Sequence, residues 1–168
     1  FLGCSPRDVC ARLFAVSLPD HRCRAVATIN GVTYYDDSKA TIIEATRAAV
    51  ESLPSVRTVL LLGGVSKGVD RARALAEFPK KTIIVVPFGT EADLLYAACS
   101  ANGIPSEAPC GSLEEAVEKA FSIAQHGDAV LLSPGGASFD LFKNYAARGK
   151  RFKEILDRLQ HDCDTVGA

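Results

Sequence analysis

The sequence predicts an α/β fold: an open, mostly parallel sheet with helices on both faces and a β-hairpin on its amino-terminal side. Asn30-Gly31 lies between two runs of alternating polarity, which is the strongest short-range signal of a hairpin. Continuous apolar runs that end in glycine, such as "TVLLLGG", are typical of buried parallel strands. Segments with helical spacing separate those runs, and this alternation favours a Rossmann-like sheet.

The predicted elements follow one another in a regular order. A short helix at 6–15 precedes the hairpin, because "SPRD" at 5–8 has the residue types of a helix start. Ser112 with Glu115 three residues later marks another capped start. Buried strands are expected at 57–64, 81–89 and 127–136, with a short extended piece at 104–108. Further helices are expected at 40–52, 69–77, 90–101, 112–125 and 139–160, with Gly149 as a candidate break in the last one.

Bulk properties limit the classes of function. The 168 residues, 48% hydrophobic and 23% charged, suit one soluble globular domain with room for a short appendage. A formal net charge of -1 with mixed signs argues against a nucleic-acid or membrane-surface partner. No apolar run approaches the length of a transmembrane helix. The sequence contains no methionine, which predicts that it is a piece of a longer protein.

Several familiar site motifs are missing from the sequence. The six cysteines form no C-x-x-C pair and are not spaced with the histidines as zinc ligands, so we expect reduced structural thiols and no metal site. There is no G-x-x-x-x-G-K-[ST] phosphate loop, no G-x-G-x-x-G and no G-x-S-x-G. These absences disfavour nucleotide binding by a phosphate loop, dinucleotide binding, and hydrolysis from a nucleophile elbow.

Three strand ends carry the polar residues that point to a site. They are the first loop, "DDSKAT" at 36–41, the second loop, "GGVSKGVD" at 63–70, and the third loop, "SPGGASFD" at 133–140. Ligands of open parallel sheets bind at the carboxyl ends of the strands, and we expect all three loops along that one edge. The sequence therefore predicts a binding site built from them.

Lys39 is the most informative residue of the first loop. A cation near a helix N-terminus opposes the helix dipole, so a lysine there is better explained if it meets an anion. The alternative is a salt bridge to Asp36 or Asp37 that has only a structural role. Ser38 or Asp37 is expected to cap the following helix, with Asp36 as a strand-end residue.

The second and third loops each offer a candidate contact to an anion. Lys67 stands among glycines between a strand and a helix, where exposed N–H groups favour negative charge; a flexible loop with a solvated lysine is the alternative. In the third loop, Ser138 is the expected N-cap of the last helix. Phe139, Phe142 and Tyr145 then recur at helical spacing, which usually indicates core packing.

Three stretches together resemble one family. "NGVTYYDDSKAT", "LLLGGVSKGVD" and "VLLSPGGASFDLFKNYAARGKRFKEI" are similar to the carboxy-terminal domain of the Mur ligases. The wording Asp-Ser-Lys-Ala-Thr resembles the branch that adds D-glutamate, whereas sister ligases carry a His-Asn-Pro type of motif there. Residues 1–22 resemble the end of the central ATPase domain and its linker, and 23–168 resemble the amino-acid-binding domain.

The resemblance implies an activity and partners. It implies an ATP-dependent ligase that adds D-glutamate to UDP-N-acetylmuramoyl-L-alanine through an acyl phosphate, in cytoplasmic synthesis of peptidoglycan precursors. The phosphate loop and the Mg²⁺ ligands would belong to the missing domains. The fragment alone is therefore expected to be inactive, and the central domain of the same full-length chain is its expected protein partner.

The resemblance also implies a role for particular residues. Arg22 and Asp37 are expected to contact ATP, and Lys39, as the catalytic residue, is expected to lie where the phosphates meet the amino acid. The expected D-glutamate-binding residues are Lys39, Thr41, Lys67, Ser138, Phe139 and Tyr145. This set suits a dicarboxylate, which needs cations, hydroxyls and helix N-termini.

The sequence departs from the family pattern at four places. Ile42 stands where asparagine is usual, the linker "LPDHR" is one residue longer, Gly135-Gly136 replace another small pair, and Tyr145 replaces phenylalanine. Two alternatives therefore stay beside the ligase hypothesis. One is a stand-alone Rossmann-like module that binds an anionic small molecule, and the other is a Mur-type ligase for another amino acid.

Overall fold

The computed structural model describes residues 19–53, 57–66 and 68–166, with the side chain of Val166 outside that description. The helix expected at 6–15 and the residue Lys67 lie outside the described residues.

The hairpin forms as expected. β1 (Arg24–Ile29) and β2 (Val32–Asp36) are antiparallel neighbours. Asn30 and Gly31 connect them with φ values of 51° and 77°, and a type I′ turn requires positive φ at both of its central residues. β1 lies at the edge of the sheet, so β2 is the strand that joins the hairpin to the rest.

Three further strands complete the predicted open, mostly parallel sheet. They are β3 (Thr58–Gly63), β4 (Ile83–Phe88) and β5 (Ala129–Leu132), and the sheet order is β1-β2-β5-β3-β4. β2, β5, β3 and β4 are all parallel. The first, third and second loops therefore leave neighbouring strands at one edge, as the sequence predicts.

The strand side chains alternate between two cores. Leu60, Leu62 and Leu131 belong to one cluster, and Leu61 and Val130 belong to the other. Nearly every residue of β3, β4 and β5 is buried because both faces are covered, which explains the continuous apolar runs of the sequence.

Helices cover both faces of the sheet. On one face lie α1 (Ile43–Ser52), α2 (Arg71–Leu75) and α3 (Ala92–Ala101), and on the other lies α4 (Leu113–Ile123) together with the last helix. α4 begins as predicted, since the hydroxyl of Ser112 accepts a hydrogen bond from the N–H of Glu115 (3.1 Å). The expected extended piece also forms: it runs beside β4, where the N–H of Val85 donates to Pro105 O (2.9 Å).

The start of α1 corrects the predicted cap. The helix begins three residues later than expected, and its N-cap, Ile42, makes no side-chain capping bond. Asp37 and Ser38 therefore do not cap it. Their polar groups are committed elsewhere, because Asp37 binds the third loop and the Ser38 N–H donates to Asp36 Oδ1 (2.9 Å).

The last helix, α5 (Tyr145–Val166), also begins later than expected. Asn144 caps it, since its Oδ1 accepts from the N–H of Ala147 (2.8 Å), so the prediction of Ser138 as N-cap is wrong. The predicted aromatic helix face is wrong for the same reason, because Phe139 precedes the helix and is 73% exposed. α5 continues through Gly149 without a break.

The cysteines of the described part are free thiols: Cys23, Cys99, Cys110 and Cys163. Burial raises the pKa of the Cys99 thiol to about 11, so it stays protonated at neutral pH. This agrees with the expected structural role. None of the helices in the described part is long and apolar enough to span a bilayer.

Candidate functional site at the carboxyl edge of the sheet

The three loops are joined by backbone hydrogen bonds. The N–H of Gly135 in the third loop donates to Ala40 O of the first (3.0 Å). Val65 and Ala137 form a bridge with two bonds of 2.9 Å between the second and third loops. The loops therefore form one continuous surface beyond the strand ends.

The first loop is fixed by the segment that precedes the hairpin. His21 Nδ1 lies 2.7 Å from Asp36 Oδ2, with the Asp36 side chain 7% exposed. His21 O accepts the N–H of Lys39 (3.1 Å), and the N–H of Cys23 donates to Asp37 Oδ1 (3.1 Å). The position of the lysine thus depends on residues 15 or more places earlier.

Asp37 connects the first loop to the third. Its Oδ2 accepts from the Ser133 hydroxyl (2.6 Å), and the residue is only 8% exposed. Burial raises the pKa of the Asp37 carboxyl; the bonds from Ser133 and Cys23 and the charge of Arg22 oppose that rise, and the charge of Asp36 adds to it. Any further ligand of Asp37 would use the remaining lone pairs of this carboxylate.

Lys39 makes no ion pair with the acidic residues beside it. Among the described residues Asp36 is bonded to His21, and neither Asp36 nor Asp37 pairs with Lys39, so the structural alternative for this lysine is wrong. The lysine is exposed, and its Nζ lies 5.4 Å from the ring centroid of Tyr145, within cation–π range. His21 approaches the same ring edge-on, at 5.9 Å between centroids.

Buried charges hold the second loop. Arg71 is 5% exposed, and its guanidinium donates to Gly63 O (2.9 Å) and Gly64 O (3.0 Å) and pairs with Glu91. Glu91 Oε1 in turn accepts from the N–H of Ser66 (2.9 Å). Ser66 immediately precedes Lys67, so this network fixes the backbone on the amino-terminal side of that lysine.

A family comparison identifies the domain that this edge belongs to. The family model "Mur ligase, glutamate ligase domain" matches residues 21–136. The chain belongs to the Mur ligase family. The match includes the first and second loops and ends within the third, so the Mur ligase domain and the edge described above are the same part of the molecule.

Curated relatives of this Mur ligase domain share one name. A UDP-N-acetylmuramoylalanine–D-glutamate ligase from Cupriavidus metallidurans is 45% identical over 139 residues, which are 83% of this chain and 27% of that protein. The ligase of the same name from Pelodictyon phaeoclathratiforme is 39% identical over 158 residues, or 94% of this chain and 33% of that protein. The chain thus spans about a third or less of the length of these relatives.

Solved structures support the fold alone. A bifunctional folylpolyglutamate synthase/dihydrofolate synthase from Yersinia pestis matches with a TM-score of 0.56 at 20% identity, covering 80% of this chain and 33% of that one. A domain of a UDP-N-acetylmuramate:L-alanyl-gamma-D-glutamyl-meso-diaminopimelate ligase from Haemophilus ducreyi matches at 0.50 and 18%, covering 68% and 89%.

The structure brings some of the expected Mur ligase site residues together. Lys39 and Tyr145 are in contact, and the positive charge of Arg22 acts to lower the pKa of the Asp37 carboxyl. Ser138 is 3% exposed in the third loop, Thr41 is half-buried in the first, and Phe139 points largely into solvent. Lys67 lies outside the described residues.

Two functional candidates of this Mur ligase domain escaped the sequence prediction. His21 was passed over in favour of Arg22, and its contact with Asp36, 15 residues away, left no local signal in the sequence. Arg148 is fully buried beneath the loops. Two features of the sequence could have indicated that Arg148 is buried. It lies on the apolar stripe of α5, four residues before the buried Phe152, and its neighbours in the sequence are small.

Replacing Asp37 by asparagine is expected to raise the unfolding midpoint of this domain slightly at pH 7.5. A carboxyl whose pKa is higher in the folded state destabilises the fold when ionised, and the cost disappears as the pH falls through that raised pKa toward the ordinary value of 3.8. Differential scanning calorimetry from pH 4 to pH 8 measures this. The difference in unfolding midpoint between Asp37→Asn and the wild type should become smaller as the pH falls toward 4.

Asp128 is the matched control with the opposite sign. Burial would raise its pKa, but the bonds from Arg57 and the Gln125 N–H, with the charge of Arg57, lower it overall. Asp128→Asn should therefore lower the free energy of unfolding at pH 7.5 by about 1–3 kcal/mol, and this loss should become smaller at acidic pH. Equal signs for the two variants would contradict this electrostatic account.

Proposed function

We propose that the chain is the carboxy-terminal domain of an ATP-dependent ligase that adds D-glutamate to UDP-N-acetylmuramoyl-L-alanine. The observation that carries the proposal is the 39–45% identity to ligases of that name over at least four-fifths of the chain. The carboxyl edge of the sheet supports it, because the exposed Lys39 of the first loop lies over the Tyr145 ring and the three loops are joined there. Synthesis of peptidoglycan precursors in the cytoplasm is the corresponding role.

The domain limits follow from the same proposal. Residues 1–22 would end the central ATPase domain and its linker, and 23–168 would form the amino-acid-binding domain. The start of β1 at Arg24 and the start of the family match at residue 21 support a boundary near this point.

The reaction needs little covalent chemistry from this domain. A carboxylate oxygen of UDP-N-acetylmuramoyl-L-alanine would attack the γ-phosphorus of ATP, so that an acyl phosphate forms, the γ-phosphorus–oxygen bond to ADP breaks, and ADP leaves. The D-glutamate amine then attacks the acyl carbon, the C–N bond forms, and the C–O bond to phosphate breaks with release of inorganic phosphate and a proton. The domain would position the amine and stabilise the anionic intermediate.

Within this scheme each residue has a proposed part. Lys39 is the catalytic cation beside the reacting phosphate and acyl oxygens, with Tyr145 holding its Nζ. Arg22 and Asp37 would contact the nucleotide. The D-glutamate carboxylates and carbon chain would be held by the remaining groups of the edge: Thr41, Lys67, Ser138, Phe139 and Tyr145.

Magnesium is implied by the family's use of ATP, but the described residues do not fit a metal site. They contain no group of three or more His, Cys, Asp or Glu side chains that could hold an ion. Mg²⁺ ligands would therefore lie in other domains of the full-length protein, and no step above depends on them.

A ligation assay with the full-length enzyme tests the proposal. D-Glutamate should be incorporated into UDP-N-acetylmuramoyl-L-alanine with a much higher kcat/KM than L-glutamate, D-aspartate or meso-diaminopimelate. The chain alone should hydrolyse no ATP. Preference for another amino acid, or tight binding of a dicarboxylate by the chain alone without ATP, would replace the proposal with one of its two alternatives.

A further inference from the structure

Arg148 is buried where the three loops meet. The residue lies on α5 with 0% exposure, and its Nη2 donates to Ser38 O of the first loop (2.9 Å) and to Gly136 O of the third (3.1 Å). Its Nη1 lies 3.0 Å from the point where a Cβ on Gly64 of the second loop would be. One guanidinium thus bonds the first and third loops and lies close to the second.

This arginine is unusual because no carboxylate of the described residues forms an ion pair with it. Within the described part, its Nε and Nη1 have no hydrogen-bond partner. Burial lowers the pKa of Arg148 to about 10, against the opposing charges of Asp140 and Asp36, so it is still charged at neutral pH. A buried cation with unused donors costs stability, and an apolar residue would be cheaper at this position.

The same helix carries the residue that holds Lys39. Tyr145 lies three residues before Arg148, and positions three apart share a helix face. Tyr145 contacts the side chain of Lys39 in the first loop. Arg148 donates to the backbone carbonyl of Ser38, the residue that precedes Lys39. The position of α5 therefore sets both the loop backbone and the lysine side chain.

We propose that Arg148 is a positioning residue that fastens the first and third loops to α5, so that the amino-acid-binding groups are in register before the substrate arrives. Arg148 does not touch the substrate, because no part of it reaches the surface. Preorganised groups bind without the cost of ordering, and small displacements of them are expensive in catalysis. The catalytic part of the inference rests on the proposed function; the structural part does not.

Amide hydrogen exchange on this chain tests the structural part. Arg148→Met removes the charge and the donors, Arg148→Lys keeps the charge, and Arg158→Met changes an exposed arginine of the same helix that pairs with Glu118. The informative amides are those that join the loops: Val65, Gly135 and Ala137. They should exchange about tenfold faster in Arg148→Met, the factor that loss of a hydrogen bond to a charged group supplies.

The result has a clear internal reference. The amide of Leu60 in β3 reports the global stability of the sheet and should change less than the loop amides. Arg148→Lys should lie between the wild type and Arg148→Met, and Arg158→Met should match the wild type. Equal acceleration at Leu60 and in the loops, or no acceleration in the loops, would overturn the proposal. If Arg148→Met does not fold, the Arg148→Lys comparison decides.

Steady-state kinetics of the full-length ligase test the catalytic part. Arg148→Lys should raise the KM for D-glutamate about tenfold, since the amino-acid-binding groups of the first and third loops lose their register. An unchanged KM for D-glutamate in this variant would overturn the catalytic part. If the wild type does not ligate D-glutamate, the proposed function fails while the exchange result stands.

Discussion

Replacing Lys39 by methionine in the full-length ligase should lower kcat about 10²–10³-fold, the usual effect of removing one group that stabilises developing negative charge. The lysine is exposed, makes no ion pair with the adjacent Asp36 or Asp37, and is held at 5.4 Å over the Tyr145 ring. No carboxylate in the described part of the chain pairs with its charge, which is therefore available to an anion. Methionine keeps most of the length of the side chain and removes that charge.

The same variant should leave the fold unchanged. Substitutions at exposed positions away from buried networks usually change the free energy of unfolding by less than about 0.5 kcal/mol. Lys80→Met, at an exposed lysine beyond the opposite end of β4, is the control for removing a charge and should keep full activity. Single-turnover kinetics with saturating substrates would measure the chemical step. Full activity in Lys39→Met would remove this residue from the catalytic role.

Gly149→Ala should destabilise this domain by about 1–3 kcal/mol, the range of overpacked sites. Helix propensity alone predicts the opposite, since alanine is favoured over glycine by about 1 kcal/mol inside a helix. A Cβ at this position would lie 2.4 Å from His21 Nδ1, 2.5 Å from Ser38 Oγ and 2.7 Å from Asp36 Oδ2. Asp36 and Ser38 are buried, and the Asp36 carboxylate is held by His21 Nδ1 and the Ser38 N–H, so the packing around this position cannot relax cheaply.

Thermal unfolding of the chain measures this effect. A loss of 1 kcal/mol lowers the midpoint by about 2–4 °C in a protein of this size. Gly111→Ala is the matched control, because the nearest atom to its added Cβ would be Glu115 Oε2 at an ordinary 3.6 Å. If Gly149→Ala raised the midpoint, the close packing of α5 against the first loop would be contradicted.

Local signals in the sequence were enough to predict most of the fold. Asn30-Gly31 determined the hairpin turn, and Ser112 with Glu115 determined the start of α4, because these interactions span only a few residues. The apolar runs predicted β3, β4 and β5 because a strand covered on both faces has no polar side.

The helix starts next to the site could not be predicted in the same way. Asp37 looked like a cap, but its carboxylate bonds Ser133, which is 96 residues away in the sequence. Ser138 looked like a cap, but the third loop continues to Asn144 before α5 begins. For Asp37 a tertiary contact took precedence over the local preference of the residue, and for Ser138 a later cap residue did.

The location of the candidate site could be predicted from the sequence, but the contacts among its residues could be predicted only in part. The three loops meet at one edge because parallel strands end together, which strand order alone nearly guarantees. The contact of Lys39 with Tyr145 and the burial of Arg148 depend on how α5 packs, and the charge of an arginine favours a surface position. Only its helical spacing from the buried Phe152 and its small neighbours suggested that Arg148 is buried.

The bonds of His21 and Cys23 to the first loop have a mechanical consequence. These residues precede β1, and they bind the backbone of Lys39 and the carboxylate of Asp37 directly. A force that shifts residues 19–23 would therefore reach the lysine across two hydrogen bonds, without crossing the sheet. Movement of this short segment and movement of the first loop are thus coupled.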